Sequence, residues 1–194
     1  MVTIRYILAV TLMISGCASD PRVHLADDDS FLNGRGERVK PLESATKAAL
    51  VLIFITADCP ISNGYAPEIN SIVRDYEPRG AKFDLVHVER NLSAQQAQQH
   101  AEEFGYTAQV LLDPQQRLVR AIGATVTPEA AVIDPSGRLV YRGRIDDRYT
   151  DLGKRRFEPS KRDLRDVLDE VLSGRPMSPR RTKAVGCFIP EIGR

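Results

Sequence analysis

A run of seven apolar residues, Ala-Leu-Val-Leu-Ile-Phe-Ile at Ala49–Ile55, constrains the fold of this chain more than any other feature. Because the run has no polar position, it is typical of a strand buried on both faces of a parallel sheet. Apolar residues then recur at helical spacing over 61–76, where Pro67 is expected to kink the helix. The order predicts a strand, a turn that contains Cys59 and Pro60, and a helix.

Strand and helix patterns alternate along the rest of the chain. After a hairpin at 31–42, the predicted strands cover 83–88, 110–112, 130–133 and 139–141, and the predicted helices cover 93–104, 114–122 and 164–172. Ser93 is the expected cap of the first of these helices, and a capping box of Ser160 and Asp163 should begin the last, which ends at Gly174. Early alternation implies parallel strands, and the late hairpin adds antiparallel ones. The expected class is α/β, with a central mixed sheet flanked by helices.

The N-terminus resembles a secretory signal. Arg5 is the only charged residue before Asp20, and 6–14 is apolar but too short to anchor the chain across a bilayer. The stretch ends in Ile-Ser-Gly-Cys17, which resembles the lipobox of bacterial lipoproteins, in which the cysteine receives the lipid and becomes the mature N-terminus. The alternative is a plain signal peptide that happens to contain a cysteine.

This interpretation divides the chain into a signal peptide at 1–16, a lipidated tether at 17–30, a folded domain at 31–174 and a C-terminal tail at 175–194. The tether is polar and acidic, which favours flexibility. Lipid on Cys17 would hold the protein on a membrane without a spanning helix. The protein is therefore expected to be exported and to face the periplasm as a membrane-anchored lipoprotein of the bacterial cell envelope.

Charge and histidine spacing argue against several classes of partner. The 27 Lys and Arg nearly balance the 26 Asp and Glu, which gives no argument for nucleic acid or an acidic substrate. The 3 histidines, His24, His87 and His100, lack the spacing of a metal site, and the sequence has no haem-attachment or phosphate-binding motif. We therefore expect no metal, no cofactor and no nucleic acid partner.

Cys59 is the strongest candidate for a reactive residue. It follows a buried strand and precedes a helix, so it lies at the carboxyl edge of the predicted sheet, where the sites of α/β proteins gather. The amides of Ile61 and Ser62 should favour its thiolate, which lowers the pKa of the thiol and makes the sulfur nucleophilic. A buried structural cysteine is the alternative.

The sequence Phe-Ile-Thr-Ala-Asp-Cys-Pro-Ile-Ser at 54–62 resembles the active-site segment of thioredoxins. The resemblance places Cys59 at the first cysteine of their Cys-x-x-Cys motif and Ser62 at the second. It also matches Pro67 to their helix-kinking proline. The implied fold is thioredoxin-like, with an inserted strand–helix unit.

Thr127-Pro128, which leads into a predicted strand, resembles the cis-proline loop that lies beside the active-site sulfur in thioredoxins. In that family the loop helps to shape the groove for the thiol substrate. The resemblance implies that Thr127 and Pro128, with Pro60 and Ser62 across from them, line a substrate groove in this chain.

A second resemblance overlaps the first. Thr-Ala-Asp-Cys-Pro at 56–60 matches the Thr-x-x-Cys-Pro core of peroxiredoxins, in which Thr and Cys position a peroxide together with an Arg from later in the chain. The segments at 141–147 and 186–189 resemble those of a bacterial peroxiredoxin-like group, the redoxins, within the thioredoxin superfamily. The whole resemblance covers about 31–190 and implies catalytic roles for Thr56 and Cys59.

Several charged residues after the predicted hairpin have two interpretations. Arg142 and Arg144 share one face of an extended segment, and either could orient a thiolate or a peroxide oxygen, with Arg144 the candidate for substrate binding. Surface arginines are the commoner case. Asp146 and Asp147 are expected to be surface charges or salt-bridge partners.

The chain departs from these families at four positions. Leu52 stands where the peroxiredoxin motif has an upstream proline. Thr56 stands where many relatives keep a cysteine, Asp58 where thioredoxins have tryptophan, and Ile53 where they carry a buried acid. A dithiol cycle within one Cys-x-x-Cys motif is therefore excluded. Monothiol chemistry or a partnership with Cys187 remains.

Cys187 has two open roles. It could resolve an oxidised Cys59, by condensing with a sulfenic acid or by releasing a mixed disulfide. It could equally form a structural disulfide, or never meet Cys59. We predict a thiol-dependent oxidoreductase that acts on a peroxide or on a thiol or disulfide protein and is recycled by an external thiol reductant. The alternative is a non-catalytic lipoprotein that binds a partner through the groove.

Overall fold

The computed structural model describes residues 22–26, 29–44, 48–175 and 177–192. The predicted signal peptide, Cys17 and half of the predicted tether lie outside these ranges. Within them, no helix has the length and the apolar character needed to cross a membrane.

The described part of the chain alternates strands and helices, as predicted. The strands are β1 (Phe31–Asn33), β2 (Arg38–Val39), β3 (Ala49–Ile55), β4 (Ala81–His87), β5 (Gln109–Leu112), β6 (Val126–Thr127), β7 (Glu129–Ile133), β8 (Leu139–Gly143), β9 (Tyr149–Asp151), β10 (Lys154–Arg155), β11 (Arg180–Arg181) and β12 (Cys187–Phe188). The helices are α1 (Pro60–Gly64), α2 (Ala66–Tyr76), α3 (Ala94–Glu103), α4 (Arg117–Ile122) and α5 (Asp163–Leu172), with short 3₁₀ turns at Pro41–Ser44 and Glu77–Arg79.

One large sheet organises the molecule, with strand order β11-β8-β7-β3-β4-β5-β1-β2. β3, β4 and β5 are parallel, whereas β7 pairs with β3 and β8 with β7 in antiparallel orientation. β6 and β12 form a separate two-stranded sheet, as do β9 and β10. The prediction of a central mixed sheet is confirmed.

β3 lies at the centre of the sheet because both of its faces are covered by apolar side chains. Its alternate residues Val51, Ile53 and Ile55 pack in one core with α2, α3 and α5. Leu50, Leu52 and Phe54 point the other way, into a second core that includes α4 and β1. A strand with two buried faces needs an unbroken apolar run, which is what the sequence shows.

The predicted helix over 61–76 is split into α1 and α2 at Tyr65. Pro67 lies in the first turn of α2 and has no N–H to offer the carbonyl of Asn63, so the helical ladder breaks there. The predicted cap Ser93 is also confirmed, since its side chain accepts from the amide of Gln96 in a full capping box.

The predicted capping box of Ser160 and Asp163 is wrong. Helix α5 begins at Asp163 after Arg162, with no side-chain cap. Ser160 instead donates from its hydroxyl and its amide to Asp147, whose carboxylate also accepts from the amide of Lys161. Asp147 is buried and carries an ion pair with Arg156. A sequence pattern could not reveal this competing acceptor because it lies thirteen residues away along the chain.

The C-terminal residues add strands that the sequence analysis does not predict. β11 runs parallel to β8 at the edge of the large sheet, and β12 pairs antiparallel with β6. Both are two residues long, too short to produce a period in the sequence. The second of these pairs brings Cys187 to the carboxyl edge of β3.

Candidate active site

Cys59 occupies the junction between β3 and α1. It is the residue before the first turn of α1, and its sulfur accepts a hydrogen bond from the amide of Ser62 at 3.4 Å. Pro60 takes the first helical position, where its missing N–H costs nothing. The side chain of Cys59 is only 1% exposed, so its sulfur is enclosed by neighbouring groups.

Thr127 and Pro128 form the wall opposite Cys59. The peptide bond between them is cis, as the resemblance to thioredoxins implied. The thiol of Cys59 donates to the carbonyl of Thr127 at 3.2 Å. The hydroxyls of Thr127 and Thr56 are 3.0 Å apart, so Thr56 lies at the site but hydrogen-bonds to this loop.

Cys187 lies directly beside Cys59. In the pair of β12 and β6, Cys187 is opposite Thr127, and the amide of Ile189 donates to the carbonyl of Thr125 at 3.0 Å. Both cysteines are free thiols, and Cys187 packs against the core cluster that contains Cys59. The structure therefore brings together the two cysteines whose relation the sequence left open.

Gly186 permits this close approach. A Cβ atom on Gly186 would lie 2.1 Å from the carbonyl oxygen of Thr127 and 3.2 Å from the nitrogen of Pro128. Real Cβ atoms do not approach backbone that closely, so any side chain here would push the C-terminal strand away from the cis-proline loop. A glycine immediately before Cys187 is the sequence signal of this contact.

The environment shifts the two thiols in opposite directions. Burial alone would raise the pKa of Cys59, but hydrogen bonds from the Cys187 thiol and from Ser62 outweigh it and lower that pKa. Burial, the hydrogen bond to Cys59 and the negative charge of Cys59 together raise the pKa of Cys187 to about 11. Of the two thiols, Cys59 therefore has the lower pKa.

Arg142 and Arg144 are held by carboxylates. Arg144 makes a two-point ion pair with Asp163, with distances of 2.7 and 3.2 Å, and Arg142 pairs with Glu129 at 3.3 Å. Among the described residues, no hydrogen bond joins either arginine to Cys59 or Cys187. Asp146 is buried rather than on the surface, forms an ion pair with Arg148 at 3.7 Å and accepts from the hydroxyl of Tyr65 at 2.6 Å.

Two polar side chains that the sequence analysis misses fix the loop before Cys59. The amide of Ala57 donates to Glu89 at 2.5 Å, and its carbonyl accepts from the side chain of Asn63 at 2.8 Å. Burial alone would raise the pKa of Glu89, but hydrogen bonds from His87 and Ala57 lower it. A Glu just after the end of β4, at the same sheet edge as Cys59, is the signal that could have found it.

Two buried histidines contact Glu89 and Asn63. His87 is fully buried with its Nδ1 3.1 Å from Glu89, and His100 places its Nε2 3.0 Å from the side-chain oxygen of Asn63. Their rings are 5.0 Å apart in an edge-on arrangement. Within the described ranges, no group of three or more His, Cys, Asp and Glu residues is placed to hold a metal ion.

Solved structures share this architecture. An uncharacterized conserved protein from Geobacillus kaustophilus is 27% identical, with a TM-score of 0.75 over 91% of this chain and 95% of its own. A hypothetical protein from Sinorhizobium meliloti 1021 is 24% identical, with a TM-score of 0.75 over 88% of this chain and 92% of its own. A secreted Mycobacterium tuberculosis disulfide oxidoreductase homologous to E. coli DsbE is 14% identical, with a TM-score of 0.52 over 76% of this chain and 96% of its own.

No curated protein matches the sequence significantly. The structural likeness confirms the thioredoxin-like fold that the motif around Cys59 implied. The match to the Redoxin family covers residues 24–155, which includes Cys59 and the cis-proline loop and ends before Cys187. With the resemblance to the redoxins thus confirmed over most of the folded region, the chain belongs to the Redoxin family.

Proposed function

We propose that this protein catalyses thiol–disulfide exchange, with Cys59 as the nucleophile and Cys187 as the resolving cysteine. The observation that carries the proposal is the pairing of Cys187 with Thr127, whose carbonyl accepts from the Cys59 thiol at 3.2 Å, because it places two free thiols at the cis-proline loop. Cys59 has the lowered pKa that a nucleophilic thiolate requires. Cys187 is close enough to attack whatever bond Cys59 forms.

The proposed cycle uses two sulfur exchanges. The Cys59 thiolate attacks one sulfur of a substrate disulfide, forms a mixed disulfide and releases the other substrate sulfur as a thiolate, which takes up a proton. The Cys187 thiolate then attacks the Cys59 sulfur, and the second substrate sulfur leaves. The substrate disulfide gains two electrons, and the protein retains a Cys59–Cys187 disulfide. An external dithiol reductant returns both cysteines to thiols, and the same steps in reverse oxidise a dithiol.

The shifted pKa values support this order of events. The hydrogen bond to Cys59 and the charge of Cys59 are two of the causes that raise the pKa of Cys187 to about 11. Both disappear once the Cys59 sulfur enters a mixed disulfide. Burial, the largest cause, remains, but the loss of these two causes lowers the pKa of Cys187 and favours its thiolate once Cys59 has reacted.

Disulfide exchange is favoured over peroxide reduction by the partners of the polar groups. Thr56 hydrogen-bonds to Thr127, and the guanidinium groups of Arg142 and Arg144 are bound to Glu129 and Asp163. These groups would have to leave such partners to orient a peroxide oxygen. Peroxide reduction is the second candidate, supported by the Thr-x-x-Cys-Pro sequence. In it a Cys59 sulfenic acid would condense with Cys187 and lose water.

The cellular setting belongs to the same proposal. The N-terminal segment supports export, cleavage before Cys17 and lipidation of that cysteine, which would leave Cys59 and Cys187 as the free thiols of the mature chain. The protein would then act on the periplasmic side of a bacterial membrane, on protein thiols or disulfides.

Trapping distinguishes these activities. The full chain with Cys17→Ser, purified in detergent and reduced, is treated with oxidised glutathione or with hydrogen peroxide, and the products are mapped by mass spectrometry. Disulfide exchange predicts a Cys59–Cys187 disulfide with glutathione, a stable glutathione adduct on Cys59 in the added Cys187→Ser variant, and neither in Cys59→Ser. Fast oxidation by peroxide with slow reaction towards glutathione would favour the peroxidase. Inertness of Cys59 to both reagents would support the non-catalytic binder.

A further inference from the structure

The end of the chain packs beside Cys59. Cys59 is 1% exposed, and Cys187 is paired with Thr127, whose carbonyl accepts from the Cys59 thiol at 3.2 Å. Gly186 is buried against the backbone of Thr127 and Pro128. A disulfide forms only when two sulfur atoms come within about 2.05 Å of each other. A protein disulfide has no such approach to Cys59 while β12 remains paired with β6.

The closing segment, residues 182–192, is attached firmly at its first residue. The amide of Thr182 donates to the carbonyl of Arg142 at 3.1 Å. Its hydroxyl accepts from the amide of Arg144 at 3.1 Å and lies 2.7 Å from the hydroxyl of Tyr141. This attachment is part of the edge of the large sheet, next to β11, and can act as a fixed end.

The part of the segment over Cys59 is held more lightly. β12 is a two-residue strand, and after it the described hydrogen bonds are one from the amide of Ile189 and one from Gln116 to the carbonyl of Pro190 at 2.8 Å. Val185, Cys187 and Ile189 are only partly buried where they pack against the two cores. Phe188 is 80% exposed and lies between clefts of about 850 Å³ and about 560 Å³. A strand with few buried apolar contacts and exposed hydrogen bonds opens locally at low free-energy cost.

We propose that residues 182–192 form a displaceable cover over Cys59, and that a protein disulfide reaches Cys59 only after β12 detaches from β6. The inference rests on the proposed exchange at Cys59 and adds how access to it is regulated. Reclosing of the cover returns Cys187 to the Cys59 sulfur. The same motion that admits the substrate therefore also delivers the resolving thiol.

Alkylation of Cys59 by iodoacetamide tests the cover without requiring any disulfide exchange. The parent is the full chain with Cys17→Ser and Cys187→Ser, which leaves Cys59 as the one thiol. Gly186→Ala is added to force the strand from the cis-proline loop, and Lys183→Ala, an exposed change in the same segment, is the matched control. The rate is followed over pH, because its limit at high pH reports access to the thiolate independently of the pKa of Cys59.

The proposal predicts that Gly186→Ala raises the limiting rate about tenfold or more, while Lys183→Ala leaves it unchanged. An equal limiting rate in all three proteins would overturn the cover. Should Gly186→Ala fail to fold, the parent protein still decides the matter. Its limiting alkylation rate at high pH must lie at least about tenfold below that of the same protein unfolded in urea, and an equal rate would contradict the proposal. If Gly186→Ala raises the alkylation rate of Cys59 but the protein with both Cys59 and Cys187 does not exchange with glutathione, the cover is supported and only the proposed function is refuted.

Discussion

Cys187 lies directly opposite Thr127 in the antiparallel pair of β12 and β6, and this register brings its thiol to the sulfur of Cys59. The contact joins residues 128 positions apart in sequence, the first at the end of the central strand and the second near the end of the chain. The proposed exchange and the proposed cover over Cys59 both depend on this contact.

Loss of the Cys187 thiol should raise the pKa of Cys59. The hydrogen bond from Cys187 favours the charged form of Cys59, so its removal in Cys187→Ala disfavours the thiolate. Cys187→Ser keeps a donor at the same place and should raise the pKa less. The midpoint of the Cys59 alkylation rate against pH measures both variants, and an unchanged or lower midpoint in Cys187→Ala would contradict the assignment of the donor.

Glu89 should hold the loop before Cys59 through the amide of Ala57. Glu89→Ala leaves that buried amide and His87 without their acceptor, so we expect a loss of about 1–3 kcal/mol in the free energy of unfolding. Glu89→Gln retains an acceptor oxygen for Ala57 and should lose clearly less. Urea unfolding monitored by circular dichroism gives both values. Equal losses in the two variants would show that the charge of Glu89, rather than its hydrogen bond, is what matters.

Arg144 is expected to stabilise the fold rather than to bind substrate. Its two-point pair with Asp163 is partly exposed, so we expect Arg144→Ala to cost about 1 kcal/mol of unfolding free energy and Asp163→Ala to cost no more when added to it. Glutathione exchange at Cys59 should stay within experimental error of the parent. A large loss of exchange in a fully folded Arg144→Ala protein would restore Arg144 as a substrate-binding residue.

Asp147 should make the protein sensitive to acid. Hydrogen bonds from Ser160, with contributions from Lys161 and Arg156, lower the pKa of this carboxyl from 3.8 to about 2. A depressed pKa stabilises the fold fully above the unfolded value, and this stabilisation is lost as the pH falls from about 4 through about 2. Asp147→Asn should be less stable than the parent at neutral pH and should lose less stability over that window. Parallel unfolding curves for the two proteins across these pH values would refute this role.

The sequence alone predicted the part of the site that β3, Cys59, α1 and the Thr127-Pro128 loop form. The apolar run of β3, the position of Cys59 before α1 and the break at Pro67 are local signals, and each was confirmed. Thr127-Pro128 was found because a threonine–proline pair before a buried strand is also a local pattern, and its cis bond agrees with the resemblance.

The other half depends on contacts between distant residues. β12 is too short to show a period, and Gly186 by itself does not identify its partner, so the pairing of Cys187 with Thr127 was not predicted. Ser160 looked like a helix cap, but the buried carboxylate of Asp147 is a stronger acceptor for its hydroxyl and amide. The role of Glu89 likewise depends on the fold, which places it beside the amide of Ala57, 32 residues away in sequence.

The full chain carrying Cys17→Ser is equilibrated in glutathione buffers of graded redox potential. This measurement tests whether Cys59 and Cys187 form a reversible disulfide. Thiols are quenched with acid and alkylated, and the disulfides are mapped by mass spectrometry. We predict that a single Cys59–Cys187 disulfide appears reversibly, in one two-electron transition, as the buffer becomes more oxidising. Both cysteines remaining as thiols throughout, or Cys59 accumulating a stable glutathione adduct while Cys187 stays free, would contradict it.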